Sequence, residues 1–136
     1  MEIPHDKGLD GHSDADVVLH ALMDALLGAA ALGDIGAHFP PADPRYTNIS
    51  SVLLLKEVGR LLSTEGYAVI NLDVTLVMER PKILPYVEAM RTTIAETLAL
   101  SRDQISIKAT TNEGLGFIGQ GEGAAAHAVA SIVRGR

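Results

Sequence analysis

Histidine and aspartate alternate along a short stretch near the start of the 136-residue sequence. His12, Asp16, His20 and Asp24 recur every four residues, so on a helix of about 3.6 residues per turn they climb one slowly drifting face. This pattern favours a divalent-metal site, with neutral His20 as a nitrogen ligand and carboxylates in or beside the coordination shell. The alternative is that these four residues are helix-capping and salt-linked surface groups, which is the usual fate of Asp and His in a helix.

Two later segments could bind an anion. Thr110-Thr111-x-Glu113 follows a predicted strand and precedes five glycines within ten residues, a pattern that offers hydroxyl and backbone N–H groups to phosphate oxygens. A strand-edge threonine pair followed by a turn is the alternative. Arg80-Pro81-Lys82 could hold an anion or a planar base, although the pattern favours a solvated turn.

The histidine-aspartate stripe requires a helix to position it. Ser13 is a good N-cap, the Ala- and Leu-rich run that follows has high helix propensity, and Gly33 is the predicted stop. The remaining helix positions are mostly Val and Leu. We therefore predict that this helix is well buried and that the polar stripe is more than its solvated side.

The rest of the chain alternates helices and strands. The patterns predict helices over Ser50–Thr64 and from Pro85 to Leu98, and strands over Tyr67–Glu79 and Ile105–Thr110. In the first strand, Ile70, Leu72 and the apolar residues at every second position after them are predicted to face the core. After the first helix, Gly33-Asp34-Ile35-Gly36 and the Pro-rich stretch from His38 to Tyr46 are predicted to form a loop, with His38 as an ordinary polar residue of it. Ala124–Val133 is ambiguous between helix and strand, and we favour strand. The chain is predicted to be one α/β (α+β) domain over residues 1–136.

Composition narrows the function classes. The sequence has no cysteine, so any metal must be held by His and carboxylate. The formal net charge of −6 argues against nucleic acid or an anionic membrane as the main partner, and no apolar run is long enough to span a bilayer. A cytoplasmic location is expected. Only 4% of the residues are aromatic, and such small-residue surfaces often close by oligomerisation.

The run from Gly11-His12-Ser13-Asp14 through His20-Ala21-Leu22 to Gly33-Asp34-Ile35-Gly36 resembles the 2-C-methyl-D-erythritol 2,4-cyclodiphosphate synthase family of the non-mevalonate isoprenoid pathway. The resemblance is free of gaps and continues through Phe39-Pro40, Pro81-Lys82-x-Leu84-Pro85, Lys108-Ala109-Thr110-Thr111-x-Glu113 and Gly121-Glu122-Gly123. It therefore covers essentially all of the chain.

The resemblance implies a chorismate-mutase-like fold with a mixed four-stranded sheet, helices packed on one face, and sheets facing a threefold axis in a homotrimer. It implies that a zinc-type ion and a magnesium or manganese ion grip the phosphates of a cytidine diphosphate substrate, which is cyclised with release of CMP. His20 would be a metal ligand, and His12 and Thr111 would orient and stabilise the transferring phosphate. The other implied binding residues are Ser13, Asp34, Gly36, Phe39, Asp43, Met78, Pro81, Lys82, Leu84, Thr110, Glu113, Phe117 and Gln120.

Three departures from the family pattern stand out. The family begins with a strand that carries Asp-x-His, two further metal ligands, and this sequence is expected to start after it. Asp10-Gly11-His12 has that spacing but belongs to the Gly-His-Ser-Asp motif, so Asp10 is not assigned as a ligand. Pro41 replaces a usual acidic residue, and Gln120 replaces a usual arginine.

Two other function classes stay open from the sequence. One is a non-catalytic trimeric relative that binds a ligand or partner without a complete metal site. The other is a generic metal phosphohydrolase, which would release a linear phosphate instead of a cyclic product.

Overall fold

The computed structural model describes residues 8–40, 50–78, 87–110 and 124–135, with the backbone alone for residues 8–14, Met78 and Ala124. Its elements, in chain order, are α1 (Gly8–Ala29), α2 (Ile35–His38), α3 (Ser51–Thr64), β1 (Tyr67–Met78), α4 (Val87–Leu98), a 3₁₀ turn (Arg102–Gln104), β2 (Ile105–Thr110) and β3 (Ala124–Arg134). Among the helices of these ranges, none has the length and apolar character that crossing a bilayer requires.

The sheet is mixed, with strand order β2-β1-β3. β1 pairs with β2 in parallel and with β3 antiparallel. The described ranges thus hold three strands, against the four that the resemblance implies. The ambiguous Ala124–Val133 segment is a strand, as favoured, because its full length pairs with β1.

One face of the sheet carries the core. Leu72, Val74 and Leu76 of β1 and Ile105 and Ile107 of β2 are buried with the apolar sides of the helices, and the alternate alanines of β3 pack against them. Gly59 lets α3 approach α4 closely, because a Cβ there would lie 2.8 Å from Leu98 Cδ2. The described helices therefore cover a single face, as predicted.

The predicted alternation along β1 fails at one residue. Ile70 is 51% exposed, although the pattern placed it with Leu72 in the core. The pairing with β3 shifts register between Val69 and Asn71. Such an extra residue reverses the side-chain alternation locally, so the core positions before the shift are Tyr67 and Val69.

Two boundaries of α1 also differ from prediction. The helix begins at Gly8, five residues before the predicted Ser13 cap, since a nucleated helix extends at little cost where no proline interrupts it. At its other end Leu32 N–H bonds Leu27 O and Ala31 N–H bonds Gly28 O, a Schellman pattern with Ala31 at φ +57°. The left-handed turn thus falls at Ala31, two residues before the predicted stop at Gly33.

The predicted helix over Ser50–Thr64 is confirmed as α3. The Ser50 side chain accepts a hydrogen bond from Leu53 N–H at 3.2 Å and caps the first turn. Gly66 follows the helix at φ +87°, in the left-handed region that favours glycine.

Candidate functional site

The polar stripe of α1 lies at the surface of the chain. Asp16, His20 and Asp24 are exposed, and the opposite side of the helix is buried. The apolar side of α1 is buried, as predicted, whereas the three described stripe residues are exposed in the single chain. That the stripe is more than a solvated side stays a prediction. His12 and Ser13 belong to α1 by their backbone, and their side chains lie outside the described part.

His20 has one described polar partner. Ser51 Oγ, at the first residue of α3, lies 3.4 Å from His20 Nε2. The described residues contain no group of three His, Cys, Asp or Glu side chains placed to hold a metal ion. His20 is thus an accessible imidazole on a rigid helix, and its two stripe neighbours do not complete a metal site with it.

The segment after α1 carries three of the predicted binding residues. Asp34 is the N-cap of α2, and its Oδ1 accepts a hydrogen bond from Ala37 N–H at 2.9 Å. Gly36 is exposed, and Phe39 is partly buried against the core. The helical turn over Ile35–His38 stands where the sequence indicated a loop, because Asp34 supplies a cap that stabilises even a short helix.

Sequence reasoning missed two residues that hold this segment. Asp24 Oδ1 accepts a hydrogen bond from Ile35 N–H at 3.0 Å. His38 Nε2 donates to Leu32 O at 2.6 Å, although the sequence predicts an ordinary polar loop residue there. Neither bond has a signal in the local sequence, since each joins residues whose proximity depends on the turn between α1 and α2.

A second group of predicted residues starts from one edge of the sheet. Val77 pairs with Thr110, so the parallel strands β1 and β2 end side by side, and Met78 also pairs with Ala124 at the start of β3. The carboxyl ends of parallel strands are common sites of ligand binding. The predicted residues beyond these ends lie outside the described residues, namely Pro81, Lys82, Leu84, Thr111, Glu113, Phe117 and Gln120, as does Asp43 before α3.

The described residues therefore form two separate groups. His20, Asp34, Gly36 and Phe39 lie along α1 and the turn after it, whereas Thr110 and Met78 lie at the sheet edge. The described side-chain hydrogen bonds of His20 and Asp34 go to Ser51 and Ala37, both in the helical part of the chain.

The sequence matches the family model described as the YgbB family over residues 1–133. A relative from Prosthecochloris aestuarii, named 2-C-methyl-D-erythritol 2,4-cyclodiphosphate synthase, is 61% identical over 132 residues, which are 97% of this chain and 84% of the relative. The match extends well beyond the motifs quoted above, so it does not depend on any single site residue.

Solved structures share the fold. The bifunctional IspDF from Campylobacter jejuni superposes with a TM-score of 0.83 and 41% identity, covering 87% of this chain and 32% of that longer chain. A Plasmodium falciparum IspF in complex with CDP gives a TM-score of 0.78 at 26% identity, covering 98% of this chain and 76% of that one. The chain therefore belongs to the YgbB family, whose members include enzymes named 2-C-methyl-D-erythritol 2,4-cyclodiphosphate synthase.

Proposed function

We propose that this chain converts 4-diphosphocytidyl-2-C-methyl-D-erythritol 2-phosphate to 2-C-methyl-D-erythritol 2,4-cyclodiphosphate and CMP, acting as one domain over residues 1–136 in the cytoplasm. The observation that carries the proposal is the family match over residues 1–133. The CDP bound to the Plasmodium falciparum relative supports a cytidine diphosphate as the ligand class.

The proposed chemistry requires no protein nucleophile. An oxygen of the 2-phosphate attacks the β-phosphorus, the new P–O bond closes the ring, and the bond to the CMP oxygen breaks with its electron pair. Catalysis then consists of positioning and of stabilising charge on the transferring phosphate. We assign these tasks to His12 and Thr111.

The substrate-binding residues are proposed in two sets. Asp34, Gly36 and Phe39, together with Ser13 and Asp43, would contact the erythritol and phosphate part. A second set, listed here, would receive the cytidine and complete the phosphate site: Met78, Pro81, Lys82, Leu84, Thr110, Glu113, Phe117 and Gln120. The resemblance implies active sites between neighbouring subunits, so we place the site between two subunits.

His20 is proposed as one ligand of a zinc-type ion, with a magnesium or manganese ion at the phosphates. Its exposed imidazole has suitable donor chemistry, and only Nε2 has a described hydrogen-bond partner. The described residues fit such an ion in part, because they supply no second and third ligand beside His20. Divalent ions neutralise phosphate charge when they bind.

A homotrimer is proposed because the sheet face away from the helices, here called the open face, exposes large apolar side chains. Val129 is 66% exposed and Val133 50% exposed on β3, among polar residues of all three strands. Exposed apolar patches rimmed by polar residues mark interaction sites, and closed rotational symmetry covers the same patch on every copy.

Product analysis tests the proposed reaction. The 136-residue chain is incubated with the substrate, and CMP and the cyclic diphosphate are quantified by ³¹P NMR and mass spectrometry. We expect both products in equal amounts. A linear phosphate product would favour the phosphohydrolase, and substrate binding without turnover would favour the non-catalytic relative.

Thr111→Ala should lower turnover by about 10²-fold with little loss of stability, because a hydroxyl that stabilises transition-state charge is removed. Thr111→Ser keeps the hydroxyl and serves as the matched control, which should stay within about threefold of the wild type. If Thr111→Ala and Thr111→Ser have equal turnover, the Thr111 hydroxyl takes no part in the reaction.

A further inference from the structure

Asp24 joins two helices that the sequence does not visibly connect. It lies on the exposed stripe of α1, one turn beyond His20, and its Oδ1 accepts the 3.0 Å hydrogen bond from Ile35 N–H. Ile35 is the first residue of α2, so this N–H is one of the donors that a helix start leaves without an intrahelical acceptor. Asp34 accepts from Ala37 N–H in the same turn. The carboxylates of Asp24 and Asp34 thus accept hydrogen bonds from two backbone N–H groups at the start of this four-residue helix.

The position of α2 depends on such contacts. A helix of four residues is far shorter than one that is stable by itself, and α2 has no buried residue. At its other end His38 donates to Leu32 O, and Phe39 packs against the core. The hydrogen bond that Asp24 accepts is therefore a direct side-chain link between the body of α1 and the start of α2, beside the packing of the Ile35 side chain against the core.

Helix α1 is a rigid base for that link. Leu22, Met23, Leu26 and Leu27 surround Asp24 in sequence, and each of them is completely buried. The Asp24 backbone therefore cannot move without disturbing the core, whereas its side chain projects to the surface. The negative charge also suits the N-terminal end of α2, where backbone N–H groups point outward.

We propose that Asp24 is a positioning residue for the binding segment Asp34–Phe39. This proposal rests on the proposed function, in which Asp34, Gly36 and Phe39 contact the erythritol and phosphate part of the substrate. Asp24 itself does not touch the substrate. It fixes the Ile35 backbone, and through it the direction from which Asp34 and Gly36 meet the ligand.

Amide hydrogen exchange of the full chain, followed by NMR, tests the anchor itself. Asp24→Ala removes the acceptor, and exchange at Ile35 N–H should accelerate by about tenfold or more, while exchange at buried β1 amides stays unchanged. Asp24→Asn keeps an amide oxygen that can accept the same bond, so its Ile35 exchange should stay within about threefold of the wild type. Glu96→Ala removes an exposed carboxylate on α4 and should change nothing at Ile35.

Steady-state kinetics of the same variants test the consequence for binding. Asp24→Ala should raise KM for the substrate by about tenfold and change kcat by less than about threefold, because the loss lies in positioning a binding segment. Affinity for CMP, which lacks the erythritol part, should not change. Asp24→Asn should restore KM to near the wild-type value.

Three outcomes would overturn the proposal. They are unchanged Ile35 exchange in Asp24→Ala, a KM increase no larger than that of Glu96→Ala, and an Asp24→Asn variant as impaired as Asp24→Ala. If the wild type forms no cyclic product, the proposed function fails, and the exchange experiment still decides whether Asp24 anchors the segment.

Discussion

Two polar surfaces of the molecule are built differently. On α1, His20 and Asp24 bond to groups from other parts of the chain, Ser51 Oγ and Ile35 N–H. On the open face of the sheet, Lys108 Nζ bonds Asp73 Oδ2 at 2.9 Å within the sheet itself, beside the exposed valines of β3. The first surface is organised by the fold of one chain. The second mixes polar pairs with bare apolar area, which is typical of a surface that another molecule covers.

Among the substitutions considered, His20→Ala on α1 should have the largest effect, which is a loss of zinc affinity. If His20 binds a metal ion together with ligands outside the described residues, its loss should lower zinc affinity by more than the roughly 10- to 100-fold expected for a residue that only supports a ligand. Calorimetric titration with Zn²⁺ measures this change without any need for turnover. Ser51→Ala, which removes the partner of His20 Nε2, should cause a smaller loss.

His127→Ala is the matched control for that titration. His127 is an exposed histidine of the open face, opposite Thr75 of β1, so its removal takes away an imidazole from the other surface. Zinc affinity should be unchanged. If His127→Ala weakens zinc binding as much as His20→Ala does, the assignment of the metal to α1 is wrong.

Val129→Asp on the open face should prevent the trimer from forming. A carboxylate on the open face would have to lose its water in the trimer, which costs several kcal/mol per copy without a partner charge. Light scattering at micromolar concentration should then show a folded monomer in place of a trimer. Leu53→Asp, at a residue of α3 with similar exposure of 53%, should leave the trimer intact. A folded wild-type monomer would contradict the proposed assembly.

The strands and α3 could be predicted from sequence because local patterns determine them. The alternation in β2, the Ser50 cap and the left-handed Gly66 are each decided within a few residues. The exposure of Ile70 could not be predicted, because it follows from a register shift that involves β3, more than 50 positions away. The turn at Ala31 likewise violates the glycine preference that pointed to Gly33.

The candidate site likewise has some features that local sequence patterns could predict and others that they could not. Periodicity alone placed Asp16, His20 and Asp24 on one face, and the structure confirms that they share the exposed side of α1. Their exposure in the single chain could not be predicted, because a stripe of polar residues does not reveal what covers it. The contacts of Asp24 and His38 depend on how the chain turns between α1 and α2, which no local pattern encodes.

Lys108→Met sharpens the comparison most directly, because the size of its effect depends on whether the open face is covered; in the single chain that effect should be the smallest of those considered. The Lys108 and Asp73 side chains are 56% and 39% exposed in the single chain, and such a pair contributes at most about 1 kcal/mol to stability. In a trimer that covers the open face, removing the lysine would leave Asp73 without its partner, at a cost of about 3 to 5 kcal/mol if the pair is fully buried. Asp73 Oδ1 already lacks a hydrogen-bond partner in the described chain.

The effect of Lys108→Met on stability can be compared in a monomeric variant and in the wild-type assembly. Urea unfolding should show a loss of about 1 kcal/mol or less in a monomeric Val133→Asp protein, whose new carboxylate stands opposite Ala68 and away from Asp73, and a larger loss in the wild-type assembly. Methionine retains an apolar side chain of similar length, so the packing of the lysine stem is largely preserved. Equal losses in both proteins would mean that the Asp73–Lys108 pair stays exposed to water. The open face around this pair would then not form the contact between copies of the chain.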